Sequence, residues 1–303
     1  MMAEILDAER ARGSAWAVAA AAVAILALLP LVTNEFVLHV LTVSFYYVIL
    51  AACWNLLAGY TGQFSLAQQS FATIGAYTTG LLIHDYGIPI WQGIVFAVIS
   101  STIAGLALGV MTVRMRAIYL AIATWAFAQT LQIVLTAAHQ ITRGHLGLSL
   151  PPIFAALAPR PYYWLLLTVA VAALLIVYGI VRSPIGTIMR AIKDDELRAQ
   201  SLGIDTTLIK VFVFAVTSGL SGLAGAFYAH DTALLSPQMA GFSEIGKIIT
   251  MVMIGGLGTF AGPLIGAPII QLLGAYLQPF GEWDLVIYAL LVIVVMRAYK
   301  GGL

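Results

Sequence analysis

Apolar residues run along this chain in blocks long enough to cross a bilayer, broken by glycines, prolines and a few charged clusters. The blocks are continuous and do not alternate with a period of two, so they predict helices and not the strands of a barrel. Ten spans are expected. They cover Trp16 to about Val32, Phe36 to Ala58, Phe64 to Ile83, Ile90 to Val113, Ala117 to Ala138, Tyr162 to Val181, Val211 to Ala229, Ile245 to Leu257, Pro263 to Leu277 and Leu285 to Met296. Some are shorter than a full crossing needs, and glycines interrupt others. Trp16 to Val32 reads as a retained span, because it is long for a signal core and no clear cleavage site follows it.

One stretch breaks the apolar pattern decisively. Arg182 to Lys210 carries Arg182, Arg190, Lys193, Arg198 and Lys210 with Asp194, Asp195, Glu196 and Asp205, a third of the chain's Lys, Arg, Asp and Glu. Ser183 and Pro184 predict a helix start, with Ile185, Ile188, Met189 and Ile192 on one face. Asp194 or Asp195 can open a second short helix with Leu197 and Leu202 as its apolar contacts, stopped by Gly203. A docking surface and a solvated linker both fit this pattern.

Composition agrees with the pattern. The chain is 303 residues, 61% hydrophobic and 9% charged, against about a quarter charged in soluble domains. The expected fold class is therefore an all-α polytopic membrane protein of about ten transmembrane helices. With the N-terminus inside, eleven of the 14 basic residues fall on the cytoplasmic side and only Arg143, Arg160 and Lys247 outside, as the positive-inside rule requires. Both termini are then cytoplasmic. Residues 1–15 form a cytoplasmic tail and 16–303 a single transmembrane domain, with a cytoplasmic loop at 182–210 and an external loop at 139–161. A net charge of +1 and the lack of a basic block give no reason to expect nucleic-acid binding.

Small residues recur at every fourth position in several spans, including Gly105 and Gly109, Gly222, Gly225, and Gly262 and Gly266. They predict close helix packing. Gly59-Tyr-Thr-Gly62-Gln-Phe64 resembles Gly255-Gly-Leu-Gly258-Thr-Phe260, and a Gly-Ala-Tyr follows each at Gly75 and Gly274. Chance and duplication explain this echo equally; duplicated broken helices would mark a transport path.

The most polar intramembrane stretch is Tyr60 to Thr79, with Gln63, Ser65, Gln68, Gln69, Ser70, Thr73 and Tyr77, joined by Asn55 and Gln129. These residues should face the protein interior, either bonding helices together or lining a path. The spans hold almost no charge: Glu244 and Lys247 are expected near an outer end, with none at mid-bilayer. Proton relays and charged channel rings are disfavoured on that ground. Gly241 to Lys247 matches a phosphate-loop spacing, but Ile248 replaces the magnesium-binding Ser or Thr. The five histidines show no metal-ligand spacing, no activated nucleophile is evident, and Cys53 is the only cysteine.

Three regions carry a family resemblance: Trp54 to Leu82 (WNLLAGYTGQFSLAQQSFATIGAYTTGLL); Met189 to Asp205 (MRAIKDDELRAQSLGID) with Ser218 to Ala229 (SGLSGLAGAFYA); and Met251 to Ala267 (MVMIGGLGTFAGPLIGA). In this order they resemble the LivH/LivM family of inner-membrane permeases, subunits of branched-chain amino-acid ABC importers. The resemblance implies a bacterial inner-membrane subunit, not an enzyme, paired in the lipid bilayer with a homologous second permease. It further implies two cytoplasmic ATPases that hold ATP and magnesium, this chain binding no cofactor, and a periplasmic binding protein that delivers leucine, isoleucine or valine. It assigns ATPase coupling to Glu196, Ala199 and Gly203, flanked by Arg190, Lys193, Asp194 and Asp195, and so favours the docking reading of the charged stretch.

Two departures from the family pattern, Ala67-Gln68-Gln69 and Thr142-Arg-Gly-His-Leu-Gly147-Leu-Ser149, bear on the solute and not on the architecture. Urea, amides or other amino acids are the alternative cargo within the family. A self-sufficient channel or facilitator is the alternative from another class.

Overall fold

The computed structural model describes residues 17–18, 20–115, 117–154, 159–277 and 297. Residues 1–15, the span expected at Leu285 to Met296 and Lys300 lie outside the described residues, as do parts of the external loop and of the first span.

The described chain is helical almost throughout. In order it forms α1 (Ala20–Leu31), α2 (Glu35–Trp54), α3 (Gln68–Tyr86), α4 (Ile90–Thr112), α5 (Ala117–Ala137), α6 (His139–Thr142), α7 (Pro159–Arg182), α8 (Pro184–Asp194), α9 (Glu196–Ser201), α10 (Thr206–Thr232), α11 (Phe242–Gly255) and α12 (Ala261–Leu277). Among the described residues five helical segments are long and apolar enough to cross a membrane: Glu35–Tyr60, Ile90–Thr112, Ile118–Ala137, Pro159–Arg182 and Thr206–Thr232. This makes an all-α polytopic membrane protein. α3 has 19 residues but is markedly polar, and α11 has only 14.

α2 is the axis of the bundle. It is apolar all round, as a helix enclosed on every side must be, and packs against α7, α10, α11 and α12. Of its span 72% is buried, against 17% for α5, which touches its neighbours only lightly. After Trp54 the helix continues as a π-helical turn over Asn55–Tyr60.

A second seam joins α3, α4 and α10, and small residues make it. A Cβ on Gly75 would collide with the Gly222 backbone, one on Gly225 with the Ala72 backbone, and one on Gly105 with Ser218. Gly109 lies against Phe214. Lipid offers no hydrophobic drive to associate, so close backbone approach and its dispersion hold such helices together. Gly262 and Gly266 play the same part between α11 and α12, where Cβ atoms would strike the backbone of Gly255 and Gly256 and of Met251 respectively.

The two ends of the bundle are distinct. At one, Leu148–Ser149 and Leu234–Leu235 pair as a short antiparallel ribbon, and His230 Nδ1 meets the Pro151 carbonyl at 2.9 Å. At the other lie α8, α9 and the glycine-rich turns that follow α2 and α11.

Gly225→Val should therefore separate α10 from α3 and destabilise the chain by about 1–3 kcal/mol, the usual penalty of overpacking. Gly179→Ala, where nothing lies within 4 Å of the added carbon, should be neutral or stabilising. Thermal unfolding in detergent checks both; equal shifts in the two variants would show that the glycine seam does not set the packing.

Candidate functional site

The charged stretch folds as two short helices meeting at a corner. α8 starts after Ser183 with Pro184 in its first turn, where the missing amide hydrogen costs nothing. Ser183 Oγ donates back to the Ile180 carbonyl at 2.7 Å and leaves the new helix uncapped. Met189 and Ile192 are buried against the bundle, and Ile185 and Ile188 pack beside them. Asp195 turns the corner in extended conformation and caps α9 by accepting from the Arg198 N–H at 3.1 Å. Gly203 closes the turn with φ +81°, a left-handed geometry that glycine adopts without penalty.

The residues expected to couple this loop to a partner point in two directions. Ala199 is buried, and Glu196 reaches inward to Lys210 Nζ at 2.5 Å and accepts from Thr206 Oγ1 at 3.3 Å, fastening α9 to the first turn of α10. Asp205 caps α10 by accepting from the Leu208 N–H at 3.0 Å. Arg190 and Asp194 are exposed. Leu197 and Leu202, expected as inward apolar contacts, instead stand 75% and 81% exposed. α9 offers only one turn to the bundle, and Ala199 fills it.

Lys193 ties this helix pair to the membrane domain. Its Nζ donates to the Gly59 carbonyl in the π-turn at 2.8 Å. There the two glycine-rich turns of the sequence echo meet. Asn55 Nδ2 donates to the Thr259 carbonyl at 2.7 Å, and Asn55 Oδ1 accepts from the Gly258 N–H at 2.7 Å. A Cβ on Gly59 would lie 2.7 Å from Gly258 N, so the contact requires glycine. Gly258 has φ +78°, which favours glycine as well. The second half of the echo has no such parallel: Gly75 packs on Gly222, whereas Gly274 meets nothing.

The polar run of α3 lies inside the helix bundle. Gln63, Ser65, Gln68, Gln69, Ser70, Thr73 and Tyr77 are all buried. Gln68 Nε2 donates to the Thr217 carbonyl at 3.0 Å and also bonds Ser221 on α10. Gln69 Nε2 donates to Tyr46 Oη at 2.8 Å, and Thr73 Oγ1 donates to the Gln69 carbonyl at 3.0 Å. The Ser65 carbonyl accepts from Trp54 Nε1 at 2.8 Å, and Gln63 Oε1 accepts from Thr61 Oγ1 at 3.1 Å. Four polar atoms in the run have no partner: Gln68 Oε1, Gln69 Oε1, Ser70 Oγ and Tyr77 Oη. Gln129 is apart from these on α5, lining an open apolar groove of about 450 Å³ with Leu66, Trp125 and Phe242.

A polar cluster on α2, α10 and α11 has no counterpart in the sequence reading. Tyr46 stacks on Tyr228 with centroids 4.2 Å apart, and Tyr47 bonds Glu244, which also pairs with Lys247 at 2.8 Å. Tyr47 stands halfway along the 26-residue stretch Glu35–Tyr60. The first turn of α11 thus lies beside the middle of that stretch; the brevity of α11 in the sequence was the available signal.

Comparison with known proteins completes the picture. The family model described as "Branched-chain amino acid transport system / permease component" matches residues 36–296. The high-affinity branched-chain amino acid transport system permease protein LivM of Salmonella typhimurium is 27% identical, over 90% of this chain and 71% of its own length. Its Escherichia coli counterpart is 26% identical with the same coverage. The Autoinducer 2 import system permease protein LsrC of Yersinia pestis is 26% identical over 77% of this chain and 68% of its own. No solved structure matches. A helical membrane bundle whose three motif regions converge on one polar junction, matched from residue 36 to residue 296, belongs to the branched-chain amino acid transport permease family.

Proposed function

We propose that this chain is the permease subunit of an ATP-driven ABC importer in a bacterial inner membrane, working beside a homologous second permease. Two cytoplasmic ATPases hydrolyse ATP, and a periplasmic binding protein delivers leucine, isoleucine or valine. The two relatives that match over 90% of the chain are branched-chain amino acid permeases by description, which favours that cargo over urea or amides.

The observation that carries the reading is the helix pair α8–α9. It shows solvent exposed leucines, Leu197 and Leu202, beside Arg190, Asp194 and Arg198. It is also anchored twice to the membrane domain, through Lys193 to Gly59 and through Glu196 to Lys210. A passive pore has no use for an apolar and charged patch so firmly tied to its spans. An ATPase that closes and opens on this patch moves α10 and the Asn55 junction together, since both are hydrogen-bonded to it. In this reading 1–15 is a cytoplasmic tail, 182–210 the cytoplasmic coupling loop and 139–161 the external loop of one permease domain.

Purification from native membranes in mild detergent should bring down two ATPases and a second permease, identified by mass spectrometry. The reconstituted assembly should accumulate leucine only with ATP and the binding protein. Recovery of this chain alone after crosslinking in intact cells would overturn the importer reading in favour of a facilitator.

The coupling residues give a sharper outcome. Gly203→Val forces a side chain into a left-handed position, at about 1–2 kcal/mol, with open space around it. The chain should still fold, and the end of α9 that carries Leu202 should shift. ATP hydrolysis by the assembly should continue while leucine uptake falls about tenfold or more. Uptake at the wild-type rate would refute the coupling assignment.

A further inference from the structure

A Glu–Lys pair in the membrane domain, level with the middle of α2, needs a reason. Glu244 meets Tyr47, the midpoint of the 26-residue helical stretch Glu35–Tyr60. From Glu244 to the end of α11 at Gly255 is about 16 Å at 1.5 Å per residue. Gly255 packs on Gly262 close to the Asn55 junction, which fixes that end of α11 at the level where α2 ends.

The pair is not sealed inside the bundle. The Lys247 side chain is 42% exposed and that of Glu244 is 21% exposed. A lysine or acidic side chain facing lipid at the bilayer centre costs about 2.5–3.5 kcal/mol on insertion scales, so such residues face a bundle interior or a watery cavity. Inward from them, Tyr46 stacks on Tyr228 and accepts from Gln69 Nε2. Gln69 is 3% exposed, and its Oε1 has no partner. A buried amide oxygen left without a donor in low dielectric carries a full desolvation penalty, and a ligand's N–H removes it.

We propose that Glu244 and Lys247 face the translocation path and bind the zwitterionic head group of an α-amino acid in transit. The solute's ammonium replaces Lys247 on Glu244, and its carboxylate pairs with the freed Lys247. Tyr47 holds the Glu244 carboxylate in place by hydrogen bonding to it. The pair is charge-balanced without solute and charge-balanced with it, so the path never holds a net charge in the membrane. This deepens the amino-acid importer reading and rests on it. It also sets the path on the open side of α11, beside Gln69 at the start of α3, and leaves the rest of the polar face of α3 to interhelical bonding, the other of the two readings the sequence offered.

The test uses the assembled importer in proteoliposomes with Cys53, the chain's buried and only cysteine, replaced by alanine. Ser243→Cys, exposed and one turn before Lys247 on the same face of α11, is expected to react with a charged, membrane-impermeant methanethiosulfonate, and leucine should slow labelling about tenfold. Isovalerate, which lacks the amine, and isoamylamine, which lacks the carboxylate, should not protect. Glu244→Gln, which keeps the bond to Tyr47, should raise the KM for leucine about tenfold while ATP hydrolysis persists. An unreactive Ser243→Cys, or one protected by none of leucine, alanine and glutamine, overturns the proposal. Protection by alanine or glutamine but not leucine upholds the zwitterion site and overturns only the branched-chain assignment. Failure of the wild-type assembly to accumulate any amino acid overturns the importer reading itself.

Discussion

The pairing of the Asn55 amide with the Gly258 N–H and the Thr259 carbonyl is the constraint around which this molecule is built. Among the described residues it is the one place where a side chain closes on the main chain of a distant turn in both directions, as donor and as acceptor. The pairing works because the end of α2 widens into a π-turn and because Gly59 and Gly258 let two backbones approach. It brings the ends of α2 and α11 to one level, and Lys193 then bonds α8 to the same spot. Irregular backbone deep in a membrane protein is tolerated where protein satisfies its polar groups, and here Asn55 and Lys193 satisfy three of them.

Around that junction the helices are held by two different means. α3, α4 and α10 rely on missing side chains, with Gly75, Gly105, Gly222 and Gly225 allowing backbone contact. Hydroxyls and amides bridge the same seam: Ser101 Oγ donates to the Phe71 carbonyl at 3.0 Å, and Gln68 reaches the Thr217 carbonyl on α10. Such hydrogen bonds contribute about 0.6 kcal/mol each in a membrane protein, so many modest bonds and close contacts share the load. α2 follows the other rule: it sits among α7, α10, α11 and α12 and buries large residues of its own, Trp54 and Tyr46 among them.

What the sequence revealed follows the same division. Apolar blocks located the five long spans seen among the described residues, and the start of α8 after Ser183 and the stop at Gly203 were readable because local chemistry alone decides them. The small-residue stripes were readable as packing faces for the same reason. The destination of the polar run of α3 was not readable, because interhelical bonding and path lining demand the same residue types; only the partners on α2 and α10 separate them. Leu197 and Leu202 misled because helical spacing puts an apolar residue on a face without saying what covers that face. The level of Glu244 against α2 was not readable either: only the contact with Tyr47 sets the first turn of the 14-residue α11, about 21 Å long, beside the middle of α2.

The two lysine–carboxylate pairs show how burial distinguishes fastening from function. Lys210, with 9% of its side chain exposed, is locked to Glu196 at the root of α10. Exchange of that partner would strand a charge out of water, at a cost of several kcal/mol, so the pair behaves as a bolt between α9 and the bundle. Lys247, 42% exposed, pairs with Glu244 one helical turn away and can swing free without being buried alone. Glu244 keeps its bond to Tyr47 whichever cation it holds. A fixed carboxylate beside a movable ammonium suits a group that must be bound briefly and released, whereas the bolt at α9 suits a lever that must not slip.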